Sequence, residues 1–217
     1  MKRLAAALVA VFALSACAVT GQPAHPGTAA TYGGATITTE QVAAWGIAET
    51  DMSYTYDPGA VLTLLLLRPA LEAEAQKESI VLGDDQITLE ARAWMASKGA
   101  NVVDPTPDMM DLVRTVHLLY AVVSTQDGAT AVLAEIQAIE EGAEVNPMYG
   151  DFSATRFVDA VSTQVQAQQD SGTSLGDIES IIFRDVSGFD LTAQRSWMVD
   201  EGASQTASPE ATPTPAA

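Results

Sequence analysis

Few side chains in this sequence are spaced to do covalent chemistry. The closest carboxylate pairs are Asp84-Asp85 and Glu140-Glu141, the residue type that supplies a general acid and base. Neighbours in sequence do not face one another on a helix, and the first pair stands at a helix start, where the macrodipole favours acid. His117 lies among Val116, Leu118 and Leu119 without a second histidine four residues away. The metal-binding spacing of a helix is therefore missing, and a partly buried, hydrogen-bonded histidine is expected. Gly33-Gly34 lacks the third glycine and the lysine of a phosphate loop. No acidic stretch has calcium-loop spacing, and no serine stands in a nucleophile motif. The expectation is a protein that is not an enzyme and uses no cofactor, metal or small-molecule substrate. One reactive group is left, Cys17, the only cysteine in 217 residues.

The surroundings of Cys17 give that thiol a use. Lys2 and Arg3 precede an uncharged apolar run from Leu4 to Leu14, and small Ser15 and Ala16 follow. A basic start, a short apolar core and small residues before a cut make a secretory signal peptide. The run is shorter than the roughly 20 residues that span a bilayer. Leu14-Ser15-Ala16-Cys17 resembles the lipobox of bacterial lipoproteins. The resemblance implies cleavage before Cys17, a thioether-linked diacylglycerol on its sulfur and acylation of the new amino group. The alternative is an ordinary signal peptide cut nearby, with Cys17 incidental. Residues 1–16 are thus expected to be a signal peptide, and the protein to be held by lipid on the extracytoplasmic face of a bacterial cell membrane.

Without residues 1–16 the chain keeps eight basic against 28 acidic residues, a net charge of −20. Such acidity favours solubility and opposes binding to nucleic acid or anionic headgroups. A lone cysteine excludes an internal disulfide. The remaining length suits one domain with tails.

The elements that position these residues are mostly helices. Residues 17–31, with two glycines and two prolines among small residues, read as a flexible stalk. Tyr32–Ile37 reads as a short strand or turn. Thr38 and Gln41 form a capping box, with Ile37 and Val42 as its hydrophobic staple. Asp57-Pro58 starts a second helix whose leucines make it the heart of the core, and Pro69 is expected to kink or split it. Asp84 is expected to cap a third helix carrying Ile87, Ala91, Trp94 and Met95 on one face. Thr106-Pro107 opens a fourth, and a fifth follows Asp127-Gly128 with Val132, Leu133, Ile136 and Ile139 in phase. Residues 145–152 read as extended. Beyond them the pattern weakens: Phe157 and Val161 allow a polar helix to about Gln169, and Leu175, Ile178, Ile181 and Ile182 a short amphipathic piece. Residues 153–200 are expected to be a weakly structured extension and 201–217 a disordered tail.

This layout resembles the N-terminal chaperone region of the SurA/PrsA type of extracytoplasmic foldases, in a lipoprotein version lacking the parvulin domain. The family begins with a strand reading roughly Val-Asn-Gly-x-x-Ile-Thr; here Gly34, Ile37 and Thr38 match, and Gly33 replaces the asparagine. Ser79–Ile87 is similar to its Gly-Ile-x-Val link and acidic helix start. Val145-Asn146-Pro147-Met148-Tyr149-Gly150-Asp151-Phe152 is similar to its Val-Asn-Pro-Arg-Tyr-Gly-x-Phe/Trp segment, with Met148 in the arginine's place. The resemblance covers residues 30–152. It implies a mainly α domain, residues 32–152, of about five helices, with the first strand and the late extended segment packed together.

It also implies binding of unfolded or nascent exported polypeptides without isomerase chemistry. Trp45, Leu65, Trp94, Met95, Met109 and Tyr149 are candidates to line a client-binding groove, since methionine and aromatic surfaces adapt to varied partners. At helical spacing the same residues also suit a core. The competing function is an envelope scaffold with one defined protein partner. One apolar groove favours the first, an all-polar surface the second.

Overall fold

Helix α2 (Pro58–Lys77) is the axis of the molecule, because residues 59–67 are buried on every side. The structure, a computed structural model, describes residues 27–171 and 185–190. Asp57 starts α2 as expected: its Oδ1 accepts the Gly59 and Ala60 amides at 2.8 and 3.2 Å, with Pro58 at the first helical position. Around it pack α1 (Thr39–Asp51), α4 (Pro107–Val123) and α5 (Gln126–Gly142), while α3 (Asp84–Ser97) lies on α4 and α6 (Ala154–Ser171) on α5. Leu62, Leu66 and Leu67, apolar beyond the needs of one face, are buried because α2 has neighbours all round.

A three-stranded antiparallel sheet of order β2-β1-β3 closes one end. β1 (Thr28–Tyr32) and β2 (Ala35–Thr38) form a hairpin around Gly33-Gly34, whose φ values of 58° and 80° suit the two-residue turn that needs positive φ twice. β3 (Glu144–Val145) pairs with the other edge of β1, so the late segment lies beside Thr28–Tyr32 and not beside the strand expected at Tyr32–Ile37, most of which is the turn and β2 on the far side of the sheet. Asn146 locks them: its amide and its side-chain Nδ2 donate to the Ala29 and Thr28 carbonyls, at 2.8 and 3.0 Å. The chain is thus mainly helical with a small sheet, as the sequence implied.

Several expectations need correction. Thr28–Thr31, expected to belong to the stalk, are part of the central strand, and Ala29 and Ala30 are fully buried. Pro69 does not split α2. A proline inside a helix costs about 3 kcal/mol, and burial of Leu67, Leu71 and Ala75 on both sides of it opposes that cost. Gly83, not Asp84, caps α3 and offers no side-chain acceptor. Asp84 instead accepts from Arg114 Nη2 at 2.6 Å, tying α3 to α4. α5 starts earlier than expected, capped by Thr125, and Leu133 points out, about half exposed. Within 145–152, Pro147–Tyr149 coil into one 3-10 turn on Asn146.

The described residues after 152 contain a helix and a segment docked on the core. α6 buries Phe157, and residues 185–190 return to the core. There Val186 and Phe189 are buried, the Phe189 ring meets Phe152 edge-on at 5.2 Å, and the Gly188 amide donates to Thr63 Oγ1 at 3.1 Å. Gly188 is required by closeness: a Cβ there would come within 2.3 Å of the Phe152 ring. Cys17, residues 1–16, the amphipathic piece at 175–182 and the tail at 201–217 lie outside the described residues.

Candidate polypeptide-binding groove

The six residues proposed from the sequence do not line a groove together. Trp45, Leu65, Trp94, Met95, Met109 and Tyr149 are all buried, none more than 8% exposed. Helical spacing set them on inward faces, where they make the core. Trp94 meets Tyr54 edge-on at 5.7 Å and stacks on His117 at 6.2 Å. His117 is largely buried, with Nε2 3.9 Å from Glu90 Oε2. Large apolar residues on the surface fall in separate places instead: Ile47, Val81, Leu89 and Met148 lie on different elements, Val102 and Val103 adjoin in the loop before α4, and Leu133 and Val158 line a pocket of about 210 Å³ between α5 and α6.

One open gap lies between β2 and α2. Ala35, Thr36 and Ile37 of β2 face Leu65, Leu66 and Pro69 of α2 across a pocket of about 350 Å³, with Tyr32 and Gln41 also in its lining. The hairpin register fixes the backbone groups at this edge. In a two-residue hairpin the flanking pair, here Tyr32 and Ala35, exchanges the ladder hydrogen bonds. The next pair, Thr31 and Thr36, is then a non-hydrogen-bonded pair, so the N–H and C=O of Thr36 point away from β1. Among the described residues no strand pairs with that edge, and Thr36 is exposed. The α2 side is unusual too: Pro69 has no N–H, so the Leu65 carbonyl lacks its helical donor at the same gap.

Arg68 divides this gap from a second pocket of about 280 Å³, lined by Thr38, Glu40, Ala44, Trp45, Asp108 and Asp111 and sharing Gln41, Leu65 and Arg68. Its Nε donates to Glu72 at 2.8 Å and its Nη1 to Asp111 at 2.9 Å, and its guanidinium lies 6.0 Å from the Trp45 ring centroid. Burial works against its charge, but the hydrogen bonds and charges of Glu72 and Asp111 outweigh burial and hold its pKa above the ordinary value. Arg68 is therefore a fixed cation between two carboxylates. Trp45, 3% exposed, lines the second pocket and Leu65 lines both, so two of the six expected residues border these pockets.

A polar cluster lies elsewhere, at the C-terminal part of α1. Glu49 is buried, and the Tyr56 ring packs on Gly46, where a Cβ would come within 2.5 Å. Burial, then Tyr149, Glu49 and Asp57, push Tyr56 up to about 12. Burial also raises Tyr149. These groups pack the loop before α2 against α1. Among the described residues no three histidine, cysteine or acidic side chains cluster as metal ligands, and no helix is long and apolar enough to cross a membrane.

Sequence reasoning missed Thr36, Arg68, Pro69 and Glu72 as site residues. A signal was present: Gly33-Gly34 between two short β-prone runs announces a hairpin, and a hairpin beside a helix leaves an edge. No protein-family model, no curated protein and no solved structure matches the chain.

Proposed function

We propose that the protein binds extended segments of non-native exported polypeptides and is held at the bacterial cell envelope through lipidated Cys17. The observation that carries the binding half is the outward-facing backbone pair of Thr36 beside an apolar wall of Leu65, Leu66 and Pro69. An unfolded chain offers unpaired backbone groups and apolar side chains together. Strand addition at an edge uses both, with the main chain giving affinity whatever the sequence. The anchor rests on the sequence around Cys17 and on the resemblance to SurA/PrsA-type foldases described above. No isomerase chemistry is part of this function.

The test is aggregation of a chemically unfolded exported protein diluted into buffer, with the full chain or its Thr36→Pro variant present. The unaltered chain is expected to suppress light scattering at stoichiometric amounts and the variant to suppress it less. Equal scattering with and without the unaltered chain contradicts chaperone binding. Separately, Cys17→Ser is expected to leave an unprocessed precursor that no longer enters the detergent phase; unchanged partitioning contradicts the lipid anchor.

One observation favours a second function, an envelope scaffold with one defined partner. The apolar surface is scattered rather than broad, and the aromatic and methionine side chains expected to receive clients are in the core. Crosslinking in intact cells separates the two: many products support the first function, a single product the second.

A further inference from the structure

Chemistry around the β2 edge restricts what that edge accepts. Four carboxylates border the two joined pockets, Glu40, Glu72, Asp108 and Asp111, and Arg68 is the single cation among their linings. Arg68 is already bonded to Glu72 and Asp111. Glu40 and Asp108 are exposed and stand in first turns, of α1 and α4, where the helix dipole supports their charge. An incoming acidic side chain thus meets like charge with no free cation to receive it.

We infer that the occupant of the β2 edge is an extended, net-basic segment of another polypeptide, with alternate side chains apolar. It pairs with the N–H and C=O of Thr36. This rests on the polypeptide-binding function proposed above and names the client class for that same groove. Geometry sets the alternation. Along a strand successive side chains point to opposite faces, and every second one lies on the same side about 6.6 Å further on. β2 turns Ile37 inward and Thr36 outward. A strand added beside it turns every second residue toward Leu65, Leu66 and Pro69, with Glu72 in the same lining and Glu40 and Asp108 in the adjoining one, while the intervening residues face solvent. Lysine or arginine in the segment is attracted by Glu40, Glu72 and Asp108 over about a Debye length, so the net charge of the segment counts more than the position of each base. Glutamate or aspartate there is repelled, and discrimination by such juxtaposition is the usual route to partner choice. β2 is only four residues long and runs straight into α1, so few residues of the occupant pair at once. The rim charges then weigh heavily in selecting among clients.

Two fluorescent ten-residue peptides test this against the full chain by anisotropy. One alternates valine with lysine, the other valine with glutamate. The lysine peptide is expected to bind at least tenfold more tightly, and its affinity to fall as salt rises, since exposed charges are screened beyond about 8 Å at physiological ionic strength. Thr36→Pro removes only the outward-pointing N–H, the one place in a sheet edge where proline fits. It is expected to weaken the lysine peptide about tenfold, with the helical circular dichroism unchanged. Glu40→Lys is expected to narrow the gap between the peptides. If both peptides bind equally and Thr36→Pro weakens both, the groove binds polypeptide and the charge rule is overturned. If the lysine peptide binds but ignores Thr36→Pro, pairing at the edge is overturned. Binding of neither peptide, joined to no suppression of aggregation, contradicts the polypeptide-binding function itself.

Discussion

Helix α2 meets the bundle on one side and the β1-β2 hairpin on another, and its leucines differ in what lies beyond them. Leu64, Leu67 and Leu71 face helices, are at most 1% exposed, and have all their contacts supplied by the fold. Leu65, Leu66 and Pro69 border a gap whose far wall is a strand with unpaired backbone groups. Both regions are apolar, so apolar content alone does not mark a binding site. In the proposed function a client needs a wall that the fold leaves unfinished, and among the described residues the outer edge of β2 has no strand partner.

That contrast gives an ordered set of tests. Leu67→Ala, in the finished region, is expected to lower stability by about 3 kcal/mol, the usual cost of a buried leucine with its cavity, read from urea unfolding. Peptide binding by the molecules that stay folded is expected to be unchanged. Phe189→Ala is expected to cost a similar amount, about 3 kcal/mol, because its ring is buried against Phe152. A loss below half a kcal/mol would show that residues 185–190 are not part of the cooperative core. Leu65→Ala, in the unfinished region, is expected to cost less stability than Leu67→Ala and to weaken the lysine peptide, reversing the order of the two effects. Asp57→Ala removes the acceptor for two α2 amides and is expected to cost about 1 kcal/mol, with binding unaffected.

The smallest effect is electrostatic. Tyr56 ionises near pH 10 when unfolded and only at about 12 in the folded chain, so the unfolded state loses its proton first. Its contribution to stability is therefore complete below pH 10 and declines as pH rises from 10 to about 12. Tyr32 and Tyr149 are raised too, and a tyrosinate absorbance titration is expected to lose its component at about 12 in Tyr56→Phe. The phenylalanine variant is expected to lose less stability over that interval, with no change in peptide binding.

Three helix starts with side-chain caps were legible because the chemistry is local, whereas the cap of α5, Thr125, was hidden beside Asp127-Gly128. Thr38 with Gln41, Asp57 with Pro58 and Thr106 with Pro107 all cap as their spacing indicates. Gly83 was not legible as a cap, since it supplies no acceptor and the acid beside it serves Arg114 instead. β1 escaped notice because Thr-Ala-Ala-Thr lacks the large residues of a strand; it is held by β2 on one edge and, on the other, by β3 and Asn146, more than a hundred positions away. Val186 and Phe189 escaped because they dock through an irregular segment that carries no periodicity. The first client-binding candidates were chosen by residue type, and helical phase had already committed those side chains to the interior. The groove itself depends on which strand ends the sheet, a property of register and order that no single stretch of sequence states.

The exchange rate of the Thr36 amide proton, measured by NMR with and without the lysine peptide, tests the central claim most directly. The account predicts fast exchange in the free chain and marked slowing when the peptide is bound, with the interior amide of Leu67 slow in both. Bound peptide with Thr36 still exchanging fast would contradict pairing at the β2 edge.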